Sequence, residues 1–219
     1  MATINHTTQE VRRIQLSLAI SLKDKYSGGV PQGKVDLFLD GNERPVLNPS
    51  GYYAFINLPE GSYNINALSE NYLDEKIEVK IESDRYCLDD KCFFLDIPLE
   101  ISLIPRPSYP FPPGETLVRG TLKDSKGPVS GAQLEVNLHA KFSTRTDEKG
   151  EFVIFFDSLK EEDVMKEGRT LYLKGSGIQG KSREVPVECR IDNKLMQIEN
   201  QLSDVILGTT KSWNPVLTG

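Results

Sequence analysis

Side chains able to do acid–base or metal chemistry are few in this chain, and their spacing brings none of them together. There are two histidines. His6 lies in a polar N-terminal stretch, and His139 closes the alternating run Leu134, Val136, Leu138. Neither has a second histidine three or four residues away, so no helical pair of zinc ligands can form. A zinc site would have to draw on His139 and distant cysteines, and His139 reads better as a surface residue at a strand end. The three cysteines are too few for a disulfide scaffold. Cys87 and Cys92 flank Leu88-Asp89-Asp90-Lys91. If those four residues form a hairpin loop, the two thiols face each other and can bridge; in a reducing compartment they stay free. Cys189 reads as a small core hydrophobe. Asp84, Asp89, Asp90 and Asp96 cluster around the same loop, but their spacing matches no calcium loop, and a solvated acidic tip is expected.

No phosphate loop, dinucleotide fingerprint or serine-hydrolase elbow is present. The glycines of residues 175–180 are not set in a strand–helix–strand unit and read as a hairpin loop. The expectation is therefore a protein that is not an enzyme, with no catalytic residue, no cofactor and no metal. Aromatic residues offer contact chemistry instead. Tyr52 and Tyr53, like Phe155 and Phe156, put one ring on each face of a strand, so one of each pair belongs to a core and the other to a surface where protein or sugar can be met.

The elements that must carry these residues are strands. Ile14, Leu16, Leu18, Ile20 and Leu22 alternate with polar or small residues, as do Val35, Leu37 and Leu39, and later Ile77, Val79 and Ile81. Phe93, Leu95 and Ile97, then Leu99, Ile101 and Leu103, continue the pattern. Turn signals separate the runs, with Asn48-Pro49-Ser50-Gly51 the clearest. Five prolines between positions 105 and 113 exclude a helix or a central strand there. The residues after this divider repeat those before it. Residues 117–124 parallel 18–24, residues 131–138 parallel 33–39, and Asp147-Glu148-Lys149-Gly150 introduces an aromatic strand as Asn48-Pro49-Ser50-Gly51 does. These parallels imply an internal duplication. The expected architecture is all-β, two tandem immunoglobulin- or transthyretin-like β-sandwiches joined by a proline-rich linker. The boundaries are a polar arm at 1–13, a first sandwich at 14–103, the linker at 104–116, a second sandwich at 117–210 and a tail at 211–219. Residues 160–168 could supply a helical turn or two capped by Gly168. Residues 195–207 fit either a helix or strands. Trp213, the single tryptophan, is expected to be docked on a domain or on a partner. Tyr109 and Phe111, alternating with prolines, are expected to pack between the two copies and set their angle.

A formal net charge of −6 argues against binding to nucleic acid. No apolar run has the length of a membrane span, so no direct membrane insertion is expected, and residues 11–22 do not form a signal-peptide core.

The run Asn48-Pro-Ser-Gly51-Tyr-Tyr-Ala-Phe55-Ile-Asn-Leu58-Pro-Glu-Gly61-Ser-Tyr63 resembles the transthyretin-like, carboxypeptidase-regulatory-like sandwich family, and Asp147-Glu-Lys-Gly150-Glu-Phe152 matches the same element in the second half. The linker with the start of the second half, Arg106-Pro107-Ser-Tyr109-Pro-Phe111-Pro-Pro-Gly114-Glu-Thr116-Leu-Val-Arg119-Gly120, looks like paired-sandwich proteins of phage-tail-like contractile injection systems. This resemblance implies an accessory cap, collar or adaptor, binding protein partners in a multi-subunit particle in multiple copies. It also implies assembly in the cytoplasm without a signal peptide and release as part of a particle. Tyr52, Tyr53, Tyr109, Phe111 and Trp213 are the expected contact residues. The alternative reading is a carbohydrate- or cell-surface-binding β-sandwich module, suggested by the paired aromatics.

Overall fold

The computed structural model describes residues 14–175 and 183–218. The polar arm at 1–13 with His6, and most of the glycine-rich run at 175–180, lie outside the described residues. What is described is all-β, about half strand, as the alternating apolar pattern dictates.

The strands of the first repeat are β1 (Leu16–Asp24), β2 (Val35–Leu39), β3 (Val46–Leu47), β4 (Tyr53–Ile56), β5 (Gly61–Ser69), β6 (Glu75–Ile81), β7 (Arg85–Leu88), β8 (Lys91–Phe94) and β9 (Leu99–Leu103). They form a four-stranded sheet in the order β3-β4-β1-β9 and a five-stranded sheet in the order β2-β5-β6-β7-β8. The period-two residues become the core: Leu18, Ile20, Leu37, Leu39, Phe55, Ile65, Val79, Ile81, Leu99 and Ile101 are all buried. One expected strand stops early. β8 ends at Phe94, and the Ile97 amide turns back to the Phe94 carbonyl at 3.0 Å, which leaves Phe94 and Ile97 exposed.

The second repeat contains β10 (Leu117–Thr121), β11 (Lys123–Asp124), β12 (Gly127–Pro128), β13 (Gln133–Asn137), β14 (Lys141–Arg145) and β15 (Glu151–Phe155). It continues with β16 (Val164–Glu167), β17 (Thr170–Leu173), β18 (Glu184–Val185), β19 (Val187–Ile191), β20 (Lys194–Ile198), β21 (Leu202–Ser203), β22 (Thr210–Ser212) and β23 (Leu217–Thr218). The two larger sheets run β15-β10-β22 and β14-β13-β19-β20-β23. Val118, Leu134, Val136, Phe142, Phe152, Ile154, Cys189 and Trp213 belong to one core cluster. Residues 195–207 are strand and turn rather than helix, because β20 pairs with β19 and with β23 on its other side.

Residues 160–168 depart from the helical expectation. A single 3₁₀ turn covers Glu161–Asp163. It goes no further because the Asp163 carbonyl accepts the Lys174 amide at 2.7 Å, so a group that a helix would use is already engaged. The chain instead enters β16, turns at Gly168, whose φ of 59° is left-handed, and pairs with β17.

Some local pairing and bonding recurs in the two halves, although the full strand orders differ. β1 pairs antiparallel with β4, and β10 pairs antiparallel with β15. Asp24 Oδ1 accepts the amides of Tyr26 and Ser27, and Asp124 Oδ1 accepts those of Lys126 and Gly127. Asn48 and Asp147 each close the turn before the aromatic strand through a side-chain oxygen and a backbone carbonyl.

By its contacts the chain divides into two compact units. The first holds the residues up to Leu22 with Asp36–Ala67 and Asp74–Ile101; the second holds Lys23–Val35, Leu68–Leu73 and everything from Ser102 onward. The proline-rich residues 104–116 thus fall within the second unit.

Candidate interaction surface

In the first unit, strand β3 is the outer strand of its sheet and, among the described residues, pairs with β4 alone, Val46 opposite Ala54 and Leu47 opposite Tyr53. Asn48 holds the turn before β4: its amide donates to the Tyr52 carbonyl at 2.9 Å, and its Oδ1 accepts the Tyr52 amide at 3.0 Å. Cross-strand register places Leu47, Tyr53 and Ile20 in one row and Val46, Ala54 and Ala19 in the next. Ile20 is fully buried, so the first row faces the core and the second faces out. At this edge both rows end in open apolar side chains, for Val46 and Leu47 are each 58% exposed and Tyr52 is 37% exposed. Ile56 and Leu16, opposite each other in the register, extend the exposed apolar surface. β3 itself carries no charge, whereas outer strands usually do to prevent unwanted pairing. Pro45 and Pro49 bracket it and confine added pairing to its two residues. Of the tyrosine pair, Tyr53 turns its ring toward the core side and Tyr52 keeps an open face.

Cys87 and Cys92 stand opposite each other on β7 and β8 and are joined in a disulfide. Beside them Tyr86 and Phe93 stack at 5.4 Å. Trp213, expected as a contact residue, is core in the second unit. Its Nε1 donates to the Asn200 carbonyl at 2.9 Å, its ring meets Phe152 edge-on at 5.9 Å, and it is only 6% exposed. Tyr109 is likewise buried. Neither presents a surface to a partner.

Tyr109 belongs to a constellation in the second unit that sequence reasoning missed. Asp24, fully buried, accepts hydrogen bonds from the Tyr109 hydroxyl at 2.5 Å and the Tyr72 hydroxyl at 3.1 Å, besides the Tyr26 amide at 2.8 Å. Tyr72 Oη in turn accepts the Gln32 amide at 2.7 Å. A buried carboxylate is tolerated when donors surround it, and here they do. Burial, and then the bond to Asp24, pushes the Tyr109 hydroxyl pKa upward. Tyr26, packed edge-on against Tyr109, Phe111 and Phe155, is raised to about 12 by burial and by its bond to Glu115. The Arg119 guanidinium lies 5.6 Å from the centre of the Phe111 ring, and its Nη1 donates to the Pro107 carbonyl at 2.7 Å. The turn at Asp24 is visible in the sequence repeat. Its tyrosine partners, 48 and 85 residues away, carry no local signal.

The arrangement nearest to catalytic geometry is His139 with Asp163, in a second-unit pocket of about 320 Å³. His139 Nδ1 lies 3.0 Å from Asp163 Oδ1, and the carboxylate also accepts the amides of His139 at 2.7 Å and Lys160 at 3.1 Å. Burial raises the Asp163 pKa, but these hydrogen bonds outweigh it and leave the group below its ordinary value. A histidine so oriented could take a proton at Nε2. The pocket offers no serine, threonine or cysteine nucleophile among its described lining residues, which include Asn137, Glu162, Lys174 and Pro186. Among the described residues no group of three His, Cys, Asp or Glu side chains is placed to hold a metal ion. Burial pushes the Cys189 thiol up to about 11, which disfavours the reactive thiolate. No described helix is long and apolar enough to cross a membrane.

No protein-family model matches the chain, and no curated protein matches it by sequence. Among solved structures, the Bacillus anthracis TIE protein is similar at 14% identity and a TM-score of 0.28, over 93% of this chain and 34% of that one. The chain thus spans about a third of that protein's length. A candidate cell adhesion protein from Bacteroides thetaiotaomicron VPI-5482 is similar at 10% identity and a TM-score of 0.20, over 90% of this chain and 92% of that one. Likenesses at this level carry no argument about activity or partners.

Proposed function

We propose that this chain is a non-enzymatic structural or adaptor protein that acts through protein–protein contacts, and that it serves as a cap, collar or adaptor piece of a phage-tail-like contractile particle. The observation that carries the contact role is the β3 edge: an outer strand with open apolar side chains on both faces and a tyrosine held beside it is suited to receive an extended segment of another protein. The particle assignment rests on the resemblance of residues 106–120 to the paired-sandwich proteins of such systems. Accessory pieces of this kind occur in several copies and assemble before release, and neither role asks for a cofactor.

Affinity capture from the native cell tests the reading. The unmodified chain is expected to bring down ring or tube subunits, and the variant Val46→Asp with Leu47→Asp, confirmed as folded by circular dichroism, is expected to lose them. Equal capture by both would strip the β3 edge of its contact role. Capture of glycans in place of proteins, lost on Tyr52→Ala, would favour the surface-binding alternative.

A further inference from the structure

On the outer face of the five-stranded sheet in the second unit, positive charge gathers against the sign of the whole chain. Gln133 on β13 lies opposite Arg145 of β14 on one side and Arg190 of β19 on the other. Leu134 and Val136 point into the core, so by alternation Gln133 and the residues opposite it share the outer face. The two arginines flank Gln133 two strand spacings apart, about 9–10 Å at the backbone. They line a pocket of about 330 Å³ together with Lys25, Ser143, Asp192 and Asn193. Two of the cations have defined partners here. Lys25 Nζ donates to the Ser143 carbonyl at 2.8 Å and to its hydroxyl at 2.9 Å, and Arg190 pairs with Glu188 at 2.7 Å. Asp192 and Asn193 build the β19–β20 turn with left-handed φ values of 49° and 64°, which fixes the pocket's rim. Among the described residues three cations line the pocket with one carboxylate, Asp192; Glu188 pairs with Arg190, and Glu135, further along the same face, pairs with Lys141, in a chain whose net charge is −6.

We propose that this pocket is a carboxylate-binding site for an acidic, extended peptide segment of a partner protein. Guanidinium groups grip carboxylates through two parallel N–H donors. Acidic residues two apart on an extended segment stand about 6.5–7 Å apart on one side, a separation that the reach of two long arginine side chains bridges. Sugar is disfavoured because no aromatic ring is among the described residues that line the pocket to serve as a stacking platform. The site is separate from the β3 edge, and its standing does not depend on the particle assignment.

The test is fluorescence anisotropy of a fluorescein-labelled (Glu-Ser)4 peptide against the full chain at low ionic strength. Saturable binding is expected, weakening as salt rises. Arg145→Gln with Arg190→Gln should lose about tenfold or more in affinity, the equivalent of at least one lost charge-assisted contact. Lys76→Gln with Lys80→Gln, which removes the same charge from the first unit, should leave affinity unchanged. If the double arginine variant loses its fold by circular dichroism, Arg145→Gln alone carries the same expectation at a severalfold loss. Absence of saturable binding, an equal loss in the Lys76/Lys80 control, or tighter binding of polygalacturonate or oligo-dT than of the peptide would each overturn the proposal.

Discussion

The residue with the greatest structural leverage is Asp24. It ends an apolar strand and begins a turn, as Asp124 does in the second repeat, yet it alone is met by two tyrosine hydroxyls. Each hydroxyl supplies a hydrogen bond to a buried carboxylate, a class of bond that contributes about 1.5–3 kcal/mol. Tyr109→Phe should therefore lower stability in urea by roughly that amount at neutral pH, with Tyr72→Phe costing less because its bond is longer. The phenols also set a pH dependence. Tyr109 and Tyr26 are held above the ordinary tyrosine value of 10.0 in the folded chain, Tyr26 at about 12. A group with a raised folded pKa loses its proton more readily when unfolded, so its contribution is complete below about pH 10 and is lost as pH climbs toward about 12. The urea series run from pH 8 upward should show this fall in the parent, and a shallower one in Tyr26→Phe. A Tyr109→Phe variant as stable as the parent would mean that the Asp24 cluster does not hold the second unit together.

At the scale of elements, strand β22 is held on β10 by a close backbone approach at Gly120. A Cβ placed there would lie 1.6 Å from the Trp213 carbonyl oxygen and 3.1 Å from the Phe152 ring. Backbone cannot yield as a side-chain tip can, so Gly120→Ala should destabilise the chain by roughly 3 kcal/mol or more. Trp213 is the single tryptophan, so its emission reports the event directly and should shift to the red. Gly29→Ala, where the nearest atom is the Ser27 hydroxyl at 3.5 Å, should leave emission unchanged. Strand positions are legible in the sequence because period-two alternation is a local signal, and the turn before Tyr52 is legible from Asn48 and Gly51. The end of the Glu161 turn is not, since it depends on the Lys174 amide taking the Asp163 carbonyl. The burial of Trp213 is hidden for a similar reason: the pocket that accepts it, between Phe152 and Asn200, is assembled by strands distant in sequence. The open edge at β3 is only half visible, because the Tyr52-Tyr53 pair marks a surface ring while nothing in Val46 and Leu47 signals that their strand ends a sheet.

At the scale of the whole molecule, the chain offers an apolar strand edge in one unit and a basic pocket in the other. Both features are surfaces on which the proposed contact role can be tested, one in each unit. The central claim is that it is a stoichiometric component of a contractile particle. Particles from the native cell, separated on a density gradient and quantified by mass spectrometry, decide it most directly. The expected result is that this chain sediments with the tube and sheath subunits at a fixed, repeatable ratio to them. Recovery of the chain only in the slowly sedimenting free fraction, with particles intact and lacking it, would contradict that claim.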